Sequence, residues 1–208
     1  YFLDEEFARF LGYLVGDGYV RFTKTSGTIR FTNSDKDLLD DYEYLVKKIF
    51  GLQVKKRAKQ GTTALEYMIS SIDLVRILSK IDSNLIKTSA NMNTCSLIKK
   101  SPNSIVKEFI KALFDCESHV AKGRREIEFS SKSKELAEDV RYLLLRFGII
   151  SQLSSGIKYA ANTTKKIRRT YYRLRVSGED IKRYAKQIGF VSKFKNYELQ
   201  KRVRSKKS

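Results

Sequence analysis

The chain has 208 residues with 42 Lys+Arg against 23 Asp+Glu, giving a formal net charge of +19 and a sequence pI near 9.9, the balance of a protein that meets a polyanion. At 41% hydrophobic and 12% aromatic residues with one proline it is globular rather than disordered, and no run approaches the roughly 20 apolar residues of a membrane span. Cys95 and Cys116 form no CxxC pair, which excludes zinc fingers and disulfide scaffolds, and the start YFLDEEF lacks a signal-peptide pattern, so a soluble, intracellular protein is expected.

The first element is a helix with Phe7, Phe10, Leu11, Leu14 and Val15 at helical spacing and Asp4 as its cap. Alternation follows. Val20 and Phe22 oppose Tyr19, Arg21 and Thr23, and Ile29 and Phe31 oppose Arg30 and Thr32, which predicts a hairpin turning at Ser26-Gly27. An amphipathic helix over 35–49, a strand pair over 53–59 and 64–70, and a short helix over 72–81 come next. The polar stretch 83–104 reads as a connection. Ser101-Pro102, with Pro102 at the first helical position, opens a second helix carrying Val106, Phe109, Ile110, Leu113 and Phe114 on one face.

From here the pattern repeats. FSSKSKELAEDVRYL (129–143) matches FTNSDKDLLDDYEYL (31–45), and VSGEDIKRYAKQI (176–188) matches ISSIDLVRILSKI (69–81). The expected fold is α+β, with two pseudo-symmetric αββαββα halves over 1–83 and 104–189, a connection over 84–103 and a basic tail over 190–208. The tail shows no regular alternation and is expected to touch phosphates or stay disordered.

Small residues recur every fourth position at Ala8, Gly12 and Gly16, with Ala112 and Cys116 at the matching places, so the two first helices can pack almost backbone to backbone. Such packing brings Asp17 and Glu117 together at two negative helix ends. Their repulsion is relieved by a divalent cation with oxygen ligands. Singly, Asp17 would read as a turn acid before Gly18 and Glu117 as a surface acid; their joint placement in two repeats points to a site.

The strands supply basic faces. Tyr172, Leu174 and Val176 face the helices, leaving Arg169, Tyr171, Arg173 and Arg175 opposite, and the same alternation sets out Arg21, Arg30, Lys55, Arg57 and Lys59 in the first half. Both sets are expected to face the polyanion; if it is double-stranded DNA, strands can enter the major groove, where arginine pairs with guanine. The single histidine, His119, argues against chemistry that needs several imidazole partners. Asp180-Ile181-Lys182 falls on a predicted helix and is set aside as a nuclease motif.

FLGYLVGDG (10–18) and IKALFDCES (110–118) resemble the two motifs of the LAGLIDADG homing endonucleases, and the αββαββα halves match that family along nearly the whole chain. Val15 departs from the motif's first acid, Ala112 from its glycine, and Cys116-Glu117-Ser118 from Ala-Asp-Gly. The resemblance implies paired sheets forming a DNA-binding saddle around two central motif helices, and a monomer needing no protein partner. It also implies metal-dependent double-strand cleavage at a long site, leaving short 3′ overhangs. Mg²⁺ is expected, with Mn²⁺ as a substitute and Ca²⁺ binding without cleavage. Asp17 and Glu117 are the metal ligands, with Gly16 and Cys116, which also read as packing positions, beside them. Asn33, Ser131 and Lys122 are expected to position water and phosphate. The lysine that the family often places at the start of the third helix is replaced by Asp73 and Asp180. IGFVSKFKNYEL (188–199) resembles the close of intein endonuclease segments. No terminal His-Asn accompanies it, so a free-standing or excised endonuclease is expected. The alternative is a LAGLIDADG-derived regulator or RNA maturase that has lost cleavage.

Overall fold

The computed structural model describes residues 3–86, 91–159 and 168–204. The first half runs α1 (Glu5–Gly16), β1 (Gly18–Phe22), β2 (Gly27–Asn33), α2 (Lys36–Phe50), β3 (Lys55–Ala58), β4 (Leu65–Ser70) and α3 (Ile72–Ile81). The second half repeats this order with α5 (Asn103–Glu117), β5 (Ser118–Val120), β6 (Glu126–Ser131), α6 (Lys134–Leu145), β7 (Ser151–Tyr159), β8 (Arg168–Ser177) and α7 (Asp180–Gln187). Local chemistry sets the helix starts. The Asp4, Asp35, Ser71 and Ser133 side chains each accept an N–H from the first turn of α1, α2, α3 and α6. α2 ends at Gly51, whose φ of 65° is the left-handed cap that glycine adopts without strain.

Each half builds a four-stranded antiparallel sheet, in the orders β1-β2-β4-β3 and β5-β6-β8-β7. The register repeats as well: Gly18 pairs with Phe31, and Ser118 with Phe129. Ile29, Phe31, Ile127, Phe129, Leu174 and Val176 are buried under the helices, so their strand neighbours occupy the helix-free face. A single apolar core runs through both halves. Among the described residues no helix is long and apolar enough to cross a membrane.

Four expectations need correction. α5 begins at Asn103 with Pro102 at the cap, because the Ser101 hydroxyl is turned back to the Leu97 carbonyl (2.7 Å) and no side chain caps the helix. The connection is more than a polar loop: it contains a 3₁₀ turn at Ser83–Ile86 and a short helix, α4 (Ser96–Lys100), and it buries Leu85, Met92, Cys95 and Ile98. The basic tail forms a further helix, α8 (Lys193–Arg204), anchored by the fully buried Leu199. Phe22, on the apolar side of the alternation, stays 42% exposed at the end of its strand.

The segments that follow the two halves cross over. After the second half, Ser192 Oγ donates to Asp35 (2.6 Å) and Lys193 N to Asp37 (2.9 Å), both at the start of α2 in the first half. After the first half, Asn93 donates to Glu135 (2.9 Å) and Thr94 N to Asp139 (3.0 Å), both on α6 in the second half. Asp115 fastens one crossing by accepting Val191 N (2.6 Å) and Ser192 N (3.3 Å), whereas its counterpart Val15 is apolar and lines a cavity together with Met92 of the other crossing. Asp115→Ala strands those two backbone donors, and a loss of about 1–3 kcal/mol is expected. Urea denaturation with an unchanged m-value checks it.

Candidate active site at the helix seam

α1 and α5 lie closer than ordinary side chains allow. A Cβ added at Gly12 would fall 2.5 Å from the Phe109 carbonyl oxygen and 2.8 Å from the Ala112 Cβ, and one at Gly16 would fall 2.5 Å from the Cys116 Cβ. The stripe of small residues is therefore a packing device. It brings Asp17, the cap of α1, and Glu117, the last residue of α5, to the same end of the seam.

Burial governs both acids, and repulsion by Asp17 adds to it at Glu117. The Glu117 carboxyl is pushed up to about 8 by burial first and by Asp17 second, while Lys132 and Lys195 pull it down. The Asp17 carboxyl is also raised by burial, although Asn33, Cys116 and Lys195 favour its charged form. Asn33 Nδ2 donates to Asp17 Oδ2 at 2.7 Å, and Asn33 Oδ1 accepts Asp35 N at 2.8 Å, which fixes the amide. The matching Ser131 accepts Ser133 N (3.1 Å) and shares with Glu117, Lys132 and Tyr171 a cavity of about 230 Å³. Asn33 thus bonds the acid of its own half directly, and Ser131 lies in the cavity that Glu117 lines.

Lys122 does not. It lines a separate cavity of about 690 Å³ with His119, Val120, Phe194, Lys195 and Arg202. Among the described residues, the cations near the acids are Lys132 and Lys195, which sequence reasoning missed. Lys132 lies in the Glu117 cavity, over the Tyr171 ring at 5.9 Å. Lys195 reaches in from α8, and its Nζ donates to the carbonyls of Asp115 and of Ser118 (2.7 Å) at the C-terminal end of α5. Burial lowers the Lys195 pKa, opposed by Asp115 and the neighbouring acids.

The donor set suits a hard cation. Two carboxylates meet at one end of the seam, the oxygen chemistry that hard divalent cations take. The Cys116 thiol is no candidate ligand: its pKa is held well above the ordinary value by burial, and its sulfur lies in the seam against Gly16. Because Glu117 binds its proton more tightly folded than unfolded, the metal-free protein should lose stability as pH rises from about 4.5 toward about 8. Melting curves in chelator across that range check this, and added Mg²⁺ should restore the loss.

On the helix-free faces, Arg30, Arg57, Lys59 and Glu66 surround a cavity of about 220 Å³ in the first half. Lys56 turns to Glu43 (2.6 Å) on α2, which leaves its strand neighbours Lys55 and Arg57 on the helix-free side. In the second half Arg175 Nε lies 3.2 Å from Glu128 and 3.8 Å from Glu126. The Arg173 guanidinium lies over Gly156, and its buried Nε has no hydrogen-bond partner among the described residues. Arg169, Tyr171 and Arg21 occupy the same faces by strand register.

Two repeated α+β halves, joined through paired helices that each end in an acid at the same end of the seam, with basic sheets to either side, define the architecture of the LAGLIDADG endonuclease fold. The profile of the LAGLIDADG-like domain matches residues 4–82 and 104–189, and the chain belongs to this family. Among solved structures, I-DmoI in complex with DNA and Mn is similar with a TM-score of 0.60 at 19% identity, covering 90% of this chain and 97% of that one. I-WcaI bound to its DNA recognition sequence gives 0.61 at 12% identity, covering 96% and 88%. Full-length DUF199/WhiA from Thermatoga maritima gives 0.64 at 14%, covering 100% of this chain and 63% of that one. Among curated relatives, the replication factor C small subunit of Methanocaldococcus jannaschii is 32% identical over 90% of this chain and 10% of its own length. A component of the A-type ATP synthase of Pyrococcus abyssi is 33% identical over 85% and 16%. The probable translation initiation factor IF-2 of Methanocaldococcus jannaschii is 31% identical over 96% and 16%. The chain thus spans only 10–16% of these relatives.

Proposed function

We propose that the protein is a site-specific DNA endonuclease that acts as a monomer on intracellular duplex DNA and makes a metal-dependent double-strand break in a long target. The observation that carries this is the acid pair: Asp17 and Glu117 end equivalent helices at one seam, both half-buried, with Glu117 pushed up to about 8 by burial and by Asp17. A divalent cation held there would polarise the phosphodiester and activate an attacking water. Asn33 orients Asp17, and Ser131 and Lys132 border the Glu117 cavity where a phosphate oxygen would lie. Lys195 keeps positive charge beside both carboxylates and ties α8 to the end of α5.

The relatives support a mobile element of intein type. A replication factor, an ATP synthase component and an initiation factor bear unrelated names, yet each contains a small segment like this chain. Such a segment serves a purpose independent of its host. The likeness to DUF199/WhiA keeps a second reading open, a DNA-binding regulator without cleavage. Retention of both acids favours the enzyme.

Incubating the protein with a randomised duplex library and Mg²⁺, then sequencing the ends, tests this. Paired breaks with short 3′ overhangs in a defined sequence are expected, and specific binding without breaks would establish the regulator instead.

A further inference from the structure

Equivalent positions on the two helix-free faces carry opposite charges. In the first sheet Arg30 on the inner strand β2 is ion-paired with Glu66 on β4, at 3.8 Å. In the second sheet the position matching Arg30 is Glu128 on the inner strand β6, and the position matching Glu66 is Arg173 on β8. Register makes the comparison direct. Tyr19, Arg30, Met68 and Lys55 form one cross-strand row; His119, Glu128, Arg175 and Gln152 form the other.

A carboxylate on this face opposes a polyanion, so its presence requires a compensating contact. Stability does not supply one, because ion pairs as open as that of Arg175, 35% exposed, add little. Base chemistry does: a carboxylate accepts from cytosine N4, and an arginine fork donates to guanine O6 and N7. Glu126 and Glu128 both engage Arg175 through Nε, so that its guanidinium is held in one orientation on the sheet. Arg30 has a looser partner, and its Nε is buried without a hydrogen bond among the described residues.

We propose that the two halves read their half-sites with inverted polarity: Arg30 selects guanine on the inner strand of the first sheet, while Glu128 selects cytosine at the pseudo-symmetric place in the second, beside Arg175. This rests on the DNA-binding reading above. It makes the target asymmetric in a specified way, since the β8 arginines of the second half take the guanine-reading role that β2 holds in the first.

The test is selection of bound duplexes from a randomised library by the full chain, with Ca²⁺ in place of Mg²⁺ so that binding is read without cleavage. Wild type, Arg30→Gln and Glu128→Gln are compared. Glu128→Gln is expected to lower the preference for cytosine at one position by roughly tenfold, and Arg30→Gln to lower that for guanine at the pseudo-symmetric position by a similar factor. All other positions should hold, except the neighbour read by Arg175. A sequence-selective wild-type profile that Glu128→Gln leaves unchanged, or weakens evenly, would overturn the polarity proposal alone. Binding without any sequence preference in wild type would overturn it together with the endonuclease reading.

Discussion

Asp17→Asn is expected to abolish cleavage, by a hundredfold or more on the order of what one charge-stabilising group contributes, while duplex binding survives. The amide keeps the size of the carboxylate and can still face Asn33, so the seam should stay closed. What it loses is the negative charge that a hard cation requires. Glu117→Gln should do the same to cleavage, with one further result that separates it from a folding defect. It removes the buried group whose pKa stands near 8, so the metal-free variant should melt higher than the parent at pH 8 and respond less to Mg²⁺. Cleavage near the parent rate by both variants would sink the metal-site assignment. Loss of cleavage accompanied by lower metal-free stability would point to misfolding instead.

Gly12→Val should produce the largest loss of stability, about 3 kcal/mol or more, since overpacking a tight contact costs roughly 1–3 kcal/mol for smaller insertions. Helix propensity alone argues the other way, because glycine inside a helix costs up to about 1 kcal/mol relative to alanine. The sign therefore decides which effect governs. The atom nearest an added Cβ is a backbone oxygen, Phe109 O at 2.5 Å, which cannot rotate away; the helices must separate. Separation would also part Asp17 from Glu117, so activity should fall at temperatures where the variant is still folded. The urea midpoint and the cleavage rate of the same preparation check both halves of this expectation. A Gly12→Ala variant more stable than the parent would show that the seam has slack.

The element order, the strand faces and the acid pair are legible because each rests on a periodicity that survives in a single chain. Ile29 and Phe31 alternate with Arg30 and Thr32, and the small residues of α1 recur at four. What stays hidden depends on contacts between distant segments. α8 has polar residues nearly all round and fully buries one described side chain, Leu199, so no apolar stripe announces it, and Lys195 is concealed with it. Asp115 binds the backbone of Val191 and Ser192, partners 76 and 77 residues away that leave no trace in side-chain identity. Lys122 looks like the partner of Glu117, and Lys132 does not, as long as nearness along the chain stands in for nearness in space. The β5–β6 hairpin carries Lys122 away, while the β6 end returns Lys132 to the acid.

The crossing segments bear on how the chain is made. Asp35 and Asp37 emerge from the ribosome early, yet their partners at Ser192 and Lys193 lie 157 and 156 residues downstream. Asp139 and Glu135 likewise receive donors from a segment synthesised before them. Each half therefore borrows contacts on its second helix from the segment that follows the other half, which couples the two. Urea unfolding followed by one probe in each half is expected to give a single shared transition, and two separate midpoints would show that the crossings couple them weakly.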